Sequence, residues 1–286
     1  MASSTFELQN FYKRATSFDL KPITHRKRDN RVWSWRPWRI CFLYNAGVTK
    51  QADLIAYVFE GQPHLLSGEL YQWMDTSSRF TAFVETYRDK IRKKIRITRE
   101  PESILDLRGE LEVACGLLSD RRLAVAYEPY ASVKRRGPDF AVTYRENLLF
   151  NIEVARMRVE ESEFGGSDLP RKEERFLRIL LYKLGQMQPG MPNLLVIHTW
   201  RELARSLDLD KLMQEIKTRV EGKDLSFYDS SRYASPAAFY KDFLHLSGIL
   251  LWTADAQLWV NKQARPGLAG KVLRLVRSLP SSAALA

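Results

Sequence analysis

Residues 137–156 read GPDFAVTYRENLLFNIEVAR, and this stretch decides the fold that the sequence predicts. Apolar and other side chains alternate along 150–155, which is typical of a half-buried strand, and the pattern predicts strands over 139–144 and 148–155. The polar residues at 145–147 form the turn between the two strands, and a Gly-Pro pair precedes the first strand. We therefore predict a hairpin in which the start of one strand lies beside the end of the other.

The segments around this hairpin predict a sheet that is flanked by helices. A helix and a strand precede the hairpin, at 104–118 and 123–127, and a helix and a strand follow it, at 170–187 and 193–199. Two more helices and two apolar strands come later in the chain, at 209–221, 236–246, 248–253 and 256–260. The order α-β-β-β-α-β predicts an α/β fold in which a mixed sheet lies between helices.

The part of the chain before the core is harder to interpret. It is basic and rich in aromatic side chains, and its apolar spacing predicts helices over 50–60 and 78–96. Pro101 interrupts this helical pattern, so we expect a boundary near residue 100. The predicted division of the chain is an N-terminal, mainly helical region, a core domain and a basic C-terminal tail, over 1–100, 101–261 and 262–286.

The basic residues of the chain are clustered. The formal net charge is +11 over 286 residues, and four segments carry the excess, namely 1–39, 88–99, 121–136 and 262–277. Clusters of this kind can contact the phosphates of a nucleic acid, but each could also be a solvated face. The stretch 31–39, RVWSWRPWR, could stack bases and hold phosphates, or form a strand whose tryptophans cover a core.

Several classes of protein are not supported by the sequence. No apolar run approaches the ~20 residues of a membrane span, and residues 1–14 lack the apolar stretch of a secretory signal. The two cysteines are too few for a disulfide framework, and the four histidines lack metal-ligand spacing, so we interpret the histidines as structural or surface residues. Serine-hydrolase and phosphate-loop motifs are absent. We expect a cytoplasmic protein that does not bind membranes.

Three acidic residues are candidates for chemistry. Glu110 follows the apolar stripe of its helix and is predicted to face inward, whereas Glu112 falls on another face and is predicted to lie at the surface. Asp139 and Glu153 lie on the two hairpin strands, so their carboxylates can meet at one edge. Converging carboxylates without His or Cys form an oxygen site suited to Mg²⁺ or Mn²⁺. Each acid could equally be an ordinary surface or capping residue.

The motif GPDF at 137–140, followed by IEVAR at 152–156, resembles the catalytic core of the PD-(D/E)XK nuclease superfamily, which has the restriction-endonuclease-like fold. That family has a glutamate on a helix, a Pro-Asp at the start of a strand, and an acid-x-Lys on the next strand. The resemblance covers about residues 103–200. It implies the fold, a divalent metal and phosphodiester substrates. It also implies that Asp139 and Glu153 hold the metal together with the backbone carbonyl of Val154 and with Glu110.

One position departs from the pattern of the family, because Ala155 stands where the family has its catalytic lysine. A methyl group can neither activate water nor stabilise charge on a phosphate. Arg156 and Arg158 are close in sequence, but an arginine stays protonated and cannot act as a base. We favour Lys183 with Gln186, from the following helix, as the substitute. The alternative is that Lys183 only packs its stem while its amine reaches water.

These observations lead to three hypotheses about function. The first is metal-dependent hydrolysis of nucleic acid, DNA more readily than RNA, by a chain that could act as a homodimer. The second is a catalytically inactive member of the fold that binds nucleic acid or a protein partner. The third is an interaction protein whose basic clusters only aid solubility. The residues expected to contact nucleic acid are Lys134, Arg135, Arg136, Arg156, Arg158, Arg92 and Lys93.

Overall fold

Six strands pair into one mixed sheet in the computed structural model, which describes residues 49–98, 100–130, 137–158, 169–229, 231–253 and 255–279. The strands lie side by side in chain order: β1 (Leu123–Tyr127), β2 (Phe140–Tyr144), β3 (Leu148–Arg156), β4 (Asn193–His198), β5 (Leu246–Trp252) and β6 (Gln257–Val260). The first three strands are antiparallel, β4 and β5 continue the sheet parallel to β3, and β6 returns antiparallel to β5.

Ten helices surround this sheet in the described part of the chain. Before the sheet come α1 (Lys50–Val58), α2 (Ser67–Thr76), α3 (Ser78–Ile97) and α4 (Pro101–Ser119). Between and after the strands come α5 (Leu169–Leu184), α6 (Arg201–Ser206), α7 (Leu209–Glu221), α8 (Leu225–Asp229), α9 (Pro236–Phe243) and α10 (Gly270–Arg277). The α/β class and the mixed sheet that the sequence predicts are confirmed.

Two apolar clusters form the core. One joins the sheet to α1–α4 and α10, and the other joins it to α5–α9. In β3 the alternation of side chains divides them between these clusters, with Phe150, Ile152 and Val154 in the first and Ala155 in the second. The helices before residue 100 therefore share an apolar cluster with the sheet.

The bounds of several elements differ from the sequence-based expectation. The helix expected to reach residue 187 ends at Leu184, because Gly185 and then Pro189 follow, so Gln186 lies beyond it. The strand expected from Asp139 begins at Phe140. The basic segment 262–277 contains α10, whose apolar side chains are buried in the first cluster.

Some predictions fall on residues outside the described ranges. They are the Trp-Arg stretch at 31–39 and the candidate nucleic-acid contacts Lys134, Arg135 and Arg136. In the part of the chain that is described, no helix has the length and apolar character that a membrane crossing requires.

Candidate metal centre

The first carboxylate of the centre, Asp139, lies where β2 and β3 stop pairing. The last paired residues at this end are Phe140 and Ile152, so the next ladder position has no strand partner. The Asp139 side chain replaces the missing backbone partner at this position, because its Oδ2 accepts a hydrogen bond from the Val154 N–H at 2.8 Å. The end of the hairpin thus fixes a carboxylate that the sequence places directly after Gly-Pro.

The second carboxylate, Glu153, lies on the facing strand and is almost fully buried, with 2% of the residue exposed. Its Oε1 accepts a hydrogen bond from the Lys183 ammonium of α5. Its Oε2 is buried and has no hydrogen-bond partner among the described residues. Lys183 therefore reaches the centre from α5, whereas a lysine at position 155 would reach it from β3.

The third carboxylate, Glu110, comes from α4 and is held by two groups. Its Oε2 accepts hydrogen bonds from the Lys94 ammonium at 2.6 Å and from the Tyr127 hydroxyl at 2.8 Å. Lys94 also pairs with Glu128 at 2.9 Å and lies 4.9 Å from the centre of the Tyr127 ring.

Sequence reasoning missed both Lys94 and Tyr127. The signal for Lys94 was its spacing, because Lys90 and Lys94 continue along one side of the apolar stripe of α3 that contains Tyr87 and Ile91. Lys90 also turns toward the sheet, and its ammonium donates to the carbonyl oxygens of Tyr127 and Glu128. For Tyr127, the strand prediction gave no sign of a polar role.

The electrostatics of the centre favour added positive charge. Burial, together with the neighbouring carboxylates of Glu110 and Glu153, raises the pKa of Asp139 well above its ordinary value. Burial also raises the pKa of Glu153, although Lys183 opposes this shift. Burial would lower the pKa of both lysines, but their carboxylate neighbours raise it. Two ammonium groups therefore leave the negative charge of these carboxylates incompletely balanced.

A divalent cation fits this donor set. The buried oxygen of Glu153 without a hydrogen-bond partner is free to accept a cation, and a cation there would oppose the burial and the neighbouring carboxylates that raise the pKa of Asp139. No group of three or more His, Cys, Asp or Glu side chains within the described ranges is arranged to hold a metal ion. Two carboxylates are nevertheless enough for Mg²⁺, because this ion keeps several waters and commonly takes one or two carboxylates from the protein.

The other residues predicted for the site make their contacts with groups other than these carboxylates. Gln186 lies in the turn after α5, where its backbone N–H donates to the Lys183 carbonyl. Arg156 pairs with Glu102 and Asp106, and Arg158 pairs with the same two acids.

The two α3 residues expected to contact nucleic acid also differ in their surroundings. Arg92 pairs with Glu60 at 2.8 Å and stacks on Tyr57, whereas Lys93 is exposed. Val154 meets Asp139 through its N–H, and its carbonyl as a metal ligand stays a prediction.

One expectation on α4 is wrong. Glu112 was expected at the surface, but only 4% of it is exposed. Its Oε2 lies 3.1 Å from Arg108 Nη1 and 3.0 Å from His198 Nε2. It is buried because the sheet and α3 cover most of α4, which therefore has apolar residues on several faces rather than along one stripe.

Comparison with known proteins gives no relative from which a function could be transferred. The chain matches no protein-family model, no curated protein and no solved structure.

Proposed function

We propose that this protein is a metal-dependent nuclease of the PD-(D/E)XK type, which hydrolyses phosphodiester bonds of nucleic acid. The observation that carries the proposal is the contact between the Lys183 ammonium and Glu153, on the strand next to Asp139. It supplies an acid-and-lysine arrangement of the kind that the family pattern requires, although Ala155 occupies the usual lysine position. The motif around Asp139 and Glu153 supports the same conclusion.

The residues of this centre divide the chemistry between them. Asp139 and Glu153 would hold Mg²⁺ or Mn²⁺ together with the Val154 carbonyl, and Glu110 would complete the set through a water molecule. When bound, such an ion polarises a phosphate oxygen and lowers the pKa of a water molecule. Lys183 has a raised pKa and stays protonated near neutral pH, so it would stabilise negative charge on the phosphate instead of acting as the base.

Lys94 would act one step further from the substrate. It holds Glu110 through an ion pair that the Tyr127 hydroxyl supports. This fixes the position of Glu110 and leaves its second oxygen outside these two hydrogen bonds. Lys94 is thus a positioning residue of the proposed site.

The direct test is cleavage of single- and double-stranded DNA and RNA with Mg²⁺ or Mn²⁺, and with a chelator. Asp139→Asn keeps an acceptor for the Val154 N–H but removes the charge, so we expect its activity to fall by about 10³-fold or more. Asp210→Asn, an exposed acid on α7, is the matched control and should cleave like the wild type. Cleavage that persists in the chelator or in Asp139→Asn would contradict the proposal.

A second candidate function is favoured by Ala155 itself. If the chemistry has been lost with the lysine, the same fold would bind nucleic acid without cutting it. Binding would then need no metal, would weaken steeply with salt and would survive Asp139→Asn. Metal-free binding with no cleavage product from any of the four substrates would select this function over the first.

A further inference from the structure

A basic cavity lies at the other end of β2 from the carboxylates. It has a volume of about 390 Å³ and is lined chiefly by Arg122, Tyr144, Arg145, Lys271, Arg274 and Ser278. Tyr144 is five residues from Asp139 along an extended strand, so the cavity lies about 17 Å from the metal centre along β2. The cavity is therefore a separate feature of the fold.

Two basic segments that are far apart in the sequence form this cavity together. Arg122 precedes β1 in the segment 121–136, and α10 brings Lys271 and Arg274, three residues apart, from the segment 262–277. Arg145 joins them from the tight turn between β2 and β3, where its backbone adopts φ 49°. The fold thus gathers four cationic side chains that the sequence distributes over three places.

An aromatic ring orders two of these cations. The guanidinium groups of Arg122 and Arg145 lie 5.6 and 5.4 Å from the centre of the Tyr144 ring, which is itself buried. Stacking of this kind limits the motion of long side chains, so the two charges are held at the wall of the cavity.

Three of these four cations have no carboxylate partner among the described residues. Arg122 pairs with Asp120 at 2.7 Å. Within the described ranges no carboxylate pairs with Arg145, Lys271 or Arg274, and no acidic side chain lines the cavity. By contrast, Arg92, Arg156 and Arg158, three other basic residues expected to contact nucleic acid, each pair with carboxylates. Unpaired cations that converge on a concave surface are the usual requirement for binding phosphate.

We propose that this cavity binds the phosphodiester backbone of a nucleic acid and anchors it away from the metal centre. The inference rests on the proposed function for the identity of its ligand. A membrane surface fits less well, because none of the exposed large apolar side chains in the described part of the chain lines the cavity. The contacts are to phosphate, so binding there is independent of base sequence.

The test measures binding of a labelled duplex DNA and of its single strand in a chelator, so that no cleavage occurs. The cavity variant is Arg145→Gln with Lys271→Gln and Arg274→Gln. The matched control is Lys211→Gln with Lys223→Gln and Lys241→Gln, which removes three exposed charges beside the other apolar cluster. We expect the cavity variant to bind roughly 10- to 100-fold more weakly, with a slope of log K against log salt reduced by about 3. The control should keep most of the wild-type slope.

Three outcomes would overturn the inference. The cavity variant could bind DNA as tightly as the control. Inorganic pyrophosphate could bind to the cavity while neither form of DNA does. Vesicles that contain phosphatidylserine could bind through the same three side chains while DNA does not. A parallel cleavage assay with Mg²⁺ separates the two proposals. If the cavity variant binds DNA more weakly but the wild type cleaves nothing, only the nuclease proposal is contradicted. If the wild type cleaves DNA but the cavity variant binds it as tightly as the wild type, only the anchor proposal is contradicted.

Discussion

Two of the acids on helix α4, Glu110 and Glu112, enter two buried clusters with different charge balance. Glu112 lies between Arg108 and His198, and Arg108 also makes a bidentate contact with Glu69. Glu110 belongs to the candidate metal centre, made of Glu110, Asp139, Glu153, Lys94 and Lys183, where a buried oxygen of Glu153 has no partner within the described ranges. We call the first the closed cluster, made of Glu69, Arg108, Glu112 and His198.

Helix geometry produces this contrast. Two residues along an α-helix turn the side chain by about 200°, so the two acids point in nearly opposite directions. Glu112 reaches the end of β4, and Glu110 reaches the end of β1, where Tyr127 meets it. The closed cluster satisfies its buried charges with protein groups and stabilises the fold. The candidate metal centre satisfies its buried charges only in part, which is typical of a site that binds a ligand.

The largest expected effect comes from removing Lys183. Lys183→Met leaves the carboxylate of Glu153 buried without its ion-pair partner, which should lower the free energy of unfolding by about 3–5 kcal/mol in metal-free buffer. Denaturant unfolding followed by circular dichroism measures this loss. The double variant Lys183→Met with Glu153→Gln removes the unpaired charge as well and should recover most of the stability.

An exposed lysine serves as the control for this experiment. Lys93→Met removes a lysine that is exposed on α3 and should change the stability by less than about 0.5 kcal/mol. If the double variant is as unstable as Lys183→Met, the charge of Glu153 is not what the lysine balances, and the contrast between the two clusters is weakened.

The next largest effect is the gain in stability on binding a divalent metal, which should depend on the candidate metal centre and not on the closed cluster. At a Mn²⁺ concentration of about 100 times the dissociation constant, binding to the folded state adds about 2.7 kcal/mol of stability. We expect this gain, measured as a rise in unfolding temperature, for the wild type and for Glu112→Gln. Asp139→Asn should lose it. An equal rise in all three proteins would indicate that Mn²⁺ binds elsewhere.

Loss of the Glu112 charge should destabilise the closed cluster. Glu112→Gln weakens the hydrogen bonds from Arg108 and His198, and hydrogen bonds to charged groups contribute about 1.5–3 kcal/mol each. The free energy of unfolding should therefore fall by about 1.5–3 kcal/mol, as measured by denaturant unfolding. Nuclease activity per folded molecule should not change, and a selective loss of activity would assign Glu112 to the site.

The hairpin and its acids show how much the sequence could predict. The pattern around Asp139 and Glu153 placed both strands to within one residue, and the core order α-β-β-β-α-β agrees with the structure. These features depend on local periodicity, which a sequence records directly. The role of Lys183 could also be predicted, because a lysine on an apolar helical stripe must reach either a carboxylate or solvent. Helices α2, α6, α8 and α10 were not predicted.

The partners of Glu110 and Glu112 depend on packing between distant elements. Lys94 and Tyr127 reach Glu110 from a helix and a strand that lie 16 and 17 residues away in sequence. Glu112 is buried because α4 is covered on several faces, and a single apolar stripe cannot reveal this. The basic cavity likewise requires α10 to pack beside the turn that carries Arg145. Such contacts follow from tertiary structure and leave no periodic signal.

The smallest predicted effect is the change in stability when an acid is replaced by its amide, and its sign differs between the two clusters. The pKa of Asp139 is raised in the folded protein, so above its ordinary value the folded state binds more protons than the unfolded state. The contribution of Asp139 to stability is therefore greatest at low pH and is lost as the pH rises through the folded pKa. Asp139→Asn removes this loss, and we expect it to stabilise the metal-free protein near neutral pH by about 1 kcal/mol, which raises the unfolding temperature by about 2–4 °C.

Unfolding temperatures of the two proteins across the pH range, in a chelator, check this sign. The advantage of Asp139→Asn should grow as the pH rises above the ordinary pKa of an aspartate, because burial and the carboxylates of Glu110 and Glu153 raise the pKa of Asp139 in the folded protein. Glu112→Gln should destabilise the protein over the same range, because a neutral group replaces a charge that Arg108 and His198 satisfy. A variant of Asp139 that is less stable than the wild type by the same amount at every pH would show that its carboxylate is as well satisfied as that of Glu112. The metal centre would then be a second closed cluster, without the unmet charge that favours a divalent ion.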